Sequence, residues 1–195
     1  MSYWVLTPSS LNGGAVLEKL PSNSPSKPDF YEAIPLTADF PHGGVMGFSK
    51  DFPDYIRVFD FIANTFSLPI VSGRVRQVLT ALEVRQCEFL PVTLQDHKGQ
   101  VASKDHCIVN VLDVQDIIDM ERSEYELSPF DESQVSRIKR LAVQKDGVAP
   151  GALLFRARTS MRELFMHASL HEALVQAGVT GLKAFPAEGW NGFDI

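Results

Sequence analysis

The chain is poor in cysteine, in long apolar runs and in positive charge, and each shortage excludes something. Two cysteines in 195 residues, Cys87 and Cys107, build no disulfide framework. They fit a reduced, cytoplasmic setting better than an oxidising one. No apolar run approaches the roughly 20 residues that a membrane-spanning helix needs. The opening "MSYWVLTPSS" has neither the basic stretch nor the apolar core of a secretory signal. The formal charge is −6, from 18 bases and 24 acids. That balance argues against nucleic-acid phosphate as a partner. No phosphate loop is present, because Gly13-Gly14 and Gly43-Gly44 lack the lysine and the following helix. "GFSKD" is no nucleophile elbow, because Asp51 stands where the second glycine belongs.

What remains is a chain with 45% hydrophobic residues, enough to build a core. Residues 1–66, rich in prolines, aspartates and aromatics, read as a loop-rich N-terminal lobe. Residues 67–195 read as an α+β domain, the two packing as one compact unit. "YWVLT" has the aromatic and β-branched content of a strand. Ser72 precedes a helical spacing of Val75, Val78, Leu79 and Leu82. A strand over 87–94, a turn at Lys98-Gly99 and the strand "CIVNVLD" spell an antiparallel pair. Residues 114–121 read as a short helix with Val114, Ile117 and Ile118 inward. "RIKRLAV", "ALLFRAR" and "LFMH" read as strands. Ser169 and Glu172 open a helix that Gly178 ends, and "TGLKAF" closes the chain as a strand. Strands outnumber helices in irregular order. The expected fold is therefore α+β, with a mixed, mostly antiparallel sheet and a few short helices.

Charge is concentrated in one place. Residues 105–126 hold seven acids and one base, while the rest of the chain holds 17 of each. On the expected helix, Asp113, Asp116 and Asp119 would line one edge, where carboxylates can hold Mg²⁺. A solvated outer face is the commoner meaning of such spacing. His167 and His171 are four apart but lack the H-E-x-x-H pattern of a zinc pair. Both cysteines fall in expected strands, where buried thiols are inert. Arg156, Arg158 and Arg162 could clamp an anion, but pairing with the acidic segment or solvent is the simpler expectation. The aromatics of residues 30–66 would mostly staple the lobe to the core, a minority serving as interface anchors. No catalytic residue, metal site or cofactor is expected. The candidate partner-binding residues are Asp113, Asp116, Asp119, Glu121, Glu124 and Glu126.

Several phrases also follow one another in a recognisable order: "CEFLPVTLQDHKGQ", "CIVNVLDVQDIIDMERSEY", "ALLFRA" and "LFMHASLHEALVQAGVTGLKAF". Together they resemble the bacterial polymorphic-toxin immunity family numbered eleven, earlier catalogued as a domain of unknown function. The shared elements are Phe89–Val92, then Asn110 with Asp113, Asp119, Ser123 and Tyr125, then Leu170–Leu182. The resemblance covers about residues 70–186. It implies a small cytosolic α+β protein that binds and neutralises a cognate toxin, with no catalytic residues. Two other readings stay open at this stage: a metal-dependent enzyme using the aspartates, and a binding module unrelated to toxins. Oligomeric state leaves no mark in the sequence.

Overall fold

Period-two alternation of apolar and polar residues draws much of this chain into strands, far more than into helices. The computed structural model describes residues 2–7 and 13–193. In chain order the strands are β1 (Tyr3–Leu6), β2 (Val16–Leu17), β3 (Gly44–Gly47), β4 (Phe61–Asn64), β5 (Ile70–Ser72), β6 (Cys87–Gln95) and β7 (Val101–Val111). There follow β8 (Val114–Gln115), β9 (Glu124–Leu127), β10 (Val135–Arg140), β11 (Leu154–Ala157), β12 (Ser160–His167) and β13 (Ala184–Pro186). Two α-helices interrupt them, α1 (Gly73–Ala81) and α2 (Ala168–Gln176).

Six strands form one sheet in the order β2-β4-β5-β7-β6-β3. Its two ends meet: Leu17 bridges Phe48, and the Ser49 amide donates to the Val16 carbonyl at 2.7 Å. The sheet is thus a nearly closed barrel. Its interior is filled by Leu17, Met46, Ile62, Ile70, Leu90, Leu94 and Ile108 from the strands. The segment 28–40 plugs it with Phe30, Leu36 and Phe40. A second sheet runs β13-β1-β12-β11-β8. Val71, Val109 and Val111 on the outside of the barrel meet Leu6, Leu164 and Met166 of that sheet, with Val75, Leu79, Leu170 and Leu174 of the helices. The opposite face of the second sheet, including Val5, Phe155 and Phe165, is covered by Ile117, Ile138, Leu141 and Trp190. Strands β9 and β10 form a separate hairpin.

The expectation of an α+β fold is overturned. Of the described residues 37% are in strands and 13% in helices, which makes this a mostly β protein built on a nearly closed sheet. The expected helix over 114–121 is the clearest local difference. There Val114 and Gln115 pair parallel with β11, and Ile118 bridges Val143. Val, Ile and Asp are poor helix formers, and three β-branched residues in this stretch favour extended backbone. Helix starts also differ in detail. The Ser72 hydroxyl donates to Asp60 at 2.6 Å rather than capping α1. Asp105 from β7 caps instead, accepting from the Gly73 amide at 3.2 Å. Glycine suits this position, because a Cβ would push the capping Asp105 carboxylate away. In α2 the cap is the His167 ring, which accepts from the Ser169 amide at 3.2 Å. Gly178, with φ +65°, ends that helix as its position suggested.

One side chain ties these parts together. Arg156 of β11 is 1% exposed and donates to three carbonyls. They are Val111 at 3.0 Å, Met161 at 2.7 Å and Phe30 at 2.7 Å. It thereby joins the barrel wall, β12 and the plug segment. Burial pulls its pKa down to about 10, so it stays charged at neutral pH. Replacing Arg156 by Ala is expected to cost about 3 kcal/mol or more, since three charge-assisted hydrogen bonds and a buried side chain vanish together. Lysine should not restore the loss, because it cannot reproduce the planar fork. Urea unfolding of both variants checks this.

Two carboxylates staple loops to the barrel. Asp60 accepts from Ser72 and from the amide and hydroxyl of Thr180. Glu88 accepts from the Leu36 amide, Thr37 and Asn110. Burial opposes their ionisation, but these hydrogen bonds outweigh it, and both carboxyls lie below their ordinary range. Depressed carboxylates stabilise the fold above their unfolded pKa and lose that contribution as pH falls through the folded value. The melting temperature is therefore expected to drop on acidification below about pH 4.5. Asp60→Asn with Glu88→Gln should be less stable at pH 7 and show a flatter acid limb in a pH series of thermal melts.

Candidate partner-binding surface

The acidic segment does not converge on a point. Asp113 is buried and accepts from the Gln115 amide side chain. Asp116 pairs with Arg158 at 2.9 Å. Asp119 pairs with Arg122 at 2.6 Å and also accepts the Glu121 and Arg122 amides, so it builds a turn. That Arg122 hydrogen bond holds its carboxyl below the ordinary range. On the hairpin, Glu124 pairs with Arg140 at 3.0 Å and Glu126 with Lys139 at 2.8 Å. Glu121 is exposed and has no ion-pair partner among the described residues. Much of the local negative charge is therefore compensated by bases on the same chain. Arg158 takes the internal role expected of it, and Arg156 is structural.

The other sequence candidates separate as well. His167 faces Ser169, while His171 stacks on Trp4 with centroids 3.9 Å apart. Among the described residues, no three His, Cys, Asp or Glu side chains gather closely enough to share a metal ion. Burial pushes the Cys107 thiol up to about 11 and the Cys87 thiol up as well, so neither is a thiolate at neutral pH. His106 lies between Ser103 and the Phe59 carbonyl, and burial lowers its pKa, leaving it neutral.

A hollow lies elsewhere, against the β9–β10 hairpin. It has a volume of about 890 Å³. Its walls are the segment 27–32, the hairpin, the start of β12 and the loop at 190–192. A neighbouring hollow of about 560 Å³ shares Lys27, Tyr31, Arg162 and Trp190 with it and reaches Thr7 and Phe66. Three cations surround this region, each resting on an aromatic ring. Lys27 lies 5.5 Å from the Phe66 centroid, Arg137 5.2 Å from Phe193 and Arg162 5.3 Å from Tyr31. None of the three is within ion-pair distance of a carboxylate among the described residues, although Arg137 stands opposite Glu126, whose carboxyl Lys139 and then Arg137 hold below its ordinary range. The buried Trp190 Nε1 and Thr7 Oγ1 have no hydrogen-bond partner among the described residues. The loop 190–192 is held close because Gly192, with φ +79°, lies against the Ile138 carbonyl, where a Cβ would clash.

At the rim stands Phe130, 98% exposed. Its turn is nonetheless well tied. The Phe130 amide donates to Ser128 Oγ at 3.2 Å, and Asp131 accepts the amide and hydroxyl of Ser133. The Ser128 amide also donates to the Gln134 carbonyl at 2.8 Å. Phe130, Arg137 and Trp190 were not among the residues the sequence singled out. One signal was available: an aromatic inside the turn sequence "SPFDES", between two charged strands, has no core to enter.

Compared with known protein families, the chain matches the model described as "Immunity protein family (Imm11)" over residues 13–188. No curated protein matches it.

Proposed function

The chain belongs to the Imm11 immunity protein family, and from that premise we propose that it is a stoichiometric inhibitor. In this reading it binds one cognate toxin of a polymorphic-toxin system in the cytoplasm of the producing cell and silences it without catalysing a reaction. The observation that carries the reading is the family match over residues 13–188. A supporting feature is the fully exposed Phe130 beside ring-supported cations, since aromatic and arginine side chains are the usual anchors of protein interfaces. Two free, unreactive thiols are compatible with a reducing compartment.

We assign the acids of the 105–126 segment to the binding surface as well. Glu121, Glu124 and Glu126 lie in or just before the hairpin, with Asp116 and Asp119 in the preceding segment. We assign them the role of a rim that steers a basic toxin into place, with Asp113, being buried, holding the segment's shape. Their internal ion pairs reduce this steering but do not abolish it, because exposed pairs remain largely solvated.

Co-expression with the toxin encoded beside the gene is expected to restore growth, and the two chains should co-purify in equal amounts. Rescue without complex formation would contradict inhibition by binding. Reversing charge at Glu121 and Glu124 to Lys should slow association about tenfold at low ionic strength. The difference should shrink in high salt, where charges are screened within a few ångströms. Stopped-flow mixing of the purified chains reads both effects. An unchanged association rate would remove these acids from the steering surface.

A further inference from the structure

A phenyl ring left in water adds nothing to the stability of its own fold. Phe130 is 98% exposed, whereas Ile56 at 62% and Val175 at 56% keep some cover. A lone apolar residue is ordinary on a protein surface. This one differs in the backbone that carries it, which is fixed from within and from below. The Ser128 amide donates to the Gln134 carbonyl at 2.8 Å and closes the turn. Inside it, the Gln134 amide donates to the Asp131 carbonyl at 3.0 Å. The Ser133 amide and hydroxyl donate to the Asp131 carboxylate at 2.9 and 2.6 Å. Below it, the Gln134 side chain donates to the Arg158 carbonyl at 3.0 Å and the Val135 amide to the Thr159 carbonyl at 2.6 Å. These two bonds moor the turn to the link between β11 and β12. Pro129 fixes φ just before the ring. Little backbone freedom is therefore left to lose when a partner arrives.

The charge of this tip has one sign. Asp131 and Glu132 follow the ring, and no base lies between Leu127 and Val135. Both acids are exposed, and neither is in an ion pair among the described residues. Glu124 and Glu126 on β9 differ, being paired with Arg140 and Lys139. The Asp131 carboxyl lies below its ordinary range because of the Ser133 hydrogen bonds, not because of a nearby base. The hollow beside the hairpin is a cleft with three acids and three bases in its walls, and it favours neither sign. The tip does favour one. Nucleic-acid phosphate would be repelled by its carboxylates. A lipid surface could take the ring only by drawing these carboxylates in with it. A second copy meeting tip to tip would set like charges together. A protein pocket that is apolar within and basic at its edge meets both features at once.

We propose that the hairpin tip, residues 129–132, enters an apolar pocket of the partner toxin whose rim carries lysine or arginine. Phe130 fills the pocket, and Asp131 and Glu132 meet the rim. The proposal rests on the toxin-binding reading above and names the inserting element and the pocket chemistry that reading leaves open.

The test uses the full chain and purified cognate toxin, with the toxin's activity disabled by mutation, in binding measurements by calorimetry. Phe130→Ala is expected to weaken binding about tenfold or more, as loss of a central anchor does. Its melting temperature should not change, because the ring is 98% exposed. Phe130→Trp should keep most of the affinity, and the emission it adds over wild type should shift to the blue in the complex. An added indole that stays in water on binding would overturn insertion. Glu132 is exposed, so Glu132→Lys changes charge without disturbing the turn. It should weaken binding at low salt and less so at high salt. Wild-type affinity in that variant at low salt would overturn the basic rim. Wild-type binding with all the tip variants within about twofold of it would overturn the tip as the contact and leave the inhibitor reading standing. Self-association of the chain alone, lost in Phe130→Ala on sedimentation, would make a second copy the occupant and overturn the proposal. A wild-type chain that does not bind the toxin at all would overturn both readings.

Discussion

The guanidinium of Arg156 is the interaction on which the arrangement of this protein depends. A charge inside a mostly β core is costly unless its donors are used. Here three of them reach carbonyls on the barrel wall, on β12 and on the plug segment. Two of those carbonyls belong to Phe30 and Met161, whose next residues are Tyr31 and Arg162. The ring and the cation that meet across the cleft are thus fixed one residue away from a shared buried anchor. Core and surface are parts of one construction, because the same hydrogen bonds that join the two sheets set the separation of the cleft walls.

Much of the local structure was legible in the sequence. The β6–β7 pair, its turn at Gly99, helix α1 with Val75 and Leu79, and helix α2 with its glycine stop all follow from short-range rules. The architecture was not legible, for a physical reason. Closure of the barrel depends on Leu17 finding Phe48 and on parallel pairing of β3 with β6, contacts that leave no periodic trace. The segment 114–121 misled because Val114, Ile117 and Ile118 have helical spacing. Their β-branching and a neighbouring parallel strand decide otherwise. Arg156 looked like a surface cation because nothing in "FRARTSMR" marks which arginine turns inward.

The acidic segment shows the same limit from the electrostatic side. Its acids stand out when counted along the chain, yet their partners lie far away in sequence, as Arg158 does from Asp116 and Arg140 from Glu124. A charge cluster in sequence is therefore only an upper bound on the field in space. Three bases outside its ion pairs, Lys27, Arg137 and Arg162, rest on aromatic rings beside one hollow.

Closing the barrel also bears on the behaviour of the protein in a crowded solution. Strand-rich chains risk edge-to-edge aggregation wherever a long strand lies unpaired. Here the six-stranded sheet spends its edges on each other, and the second sheet ends in β13 and β8, which are only three and two residues long. The longest open edges belong to the hairpin, and there Glu124, Glu126, Arg137, Lys139 and Arg140 stand as gatekeepers that discourage a second copy from pairing. The ladder of opposite charges is thereby also a solubility device. It lets Phe130, 98% exposed at the hairpin turn, stay in solvent without gluing one molecule to the next.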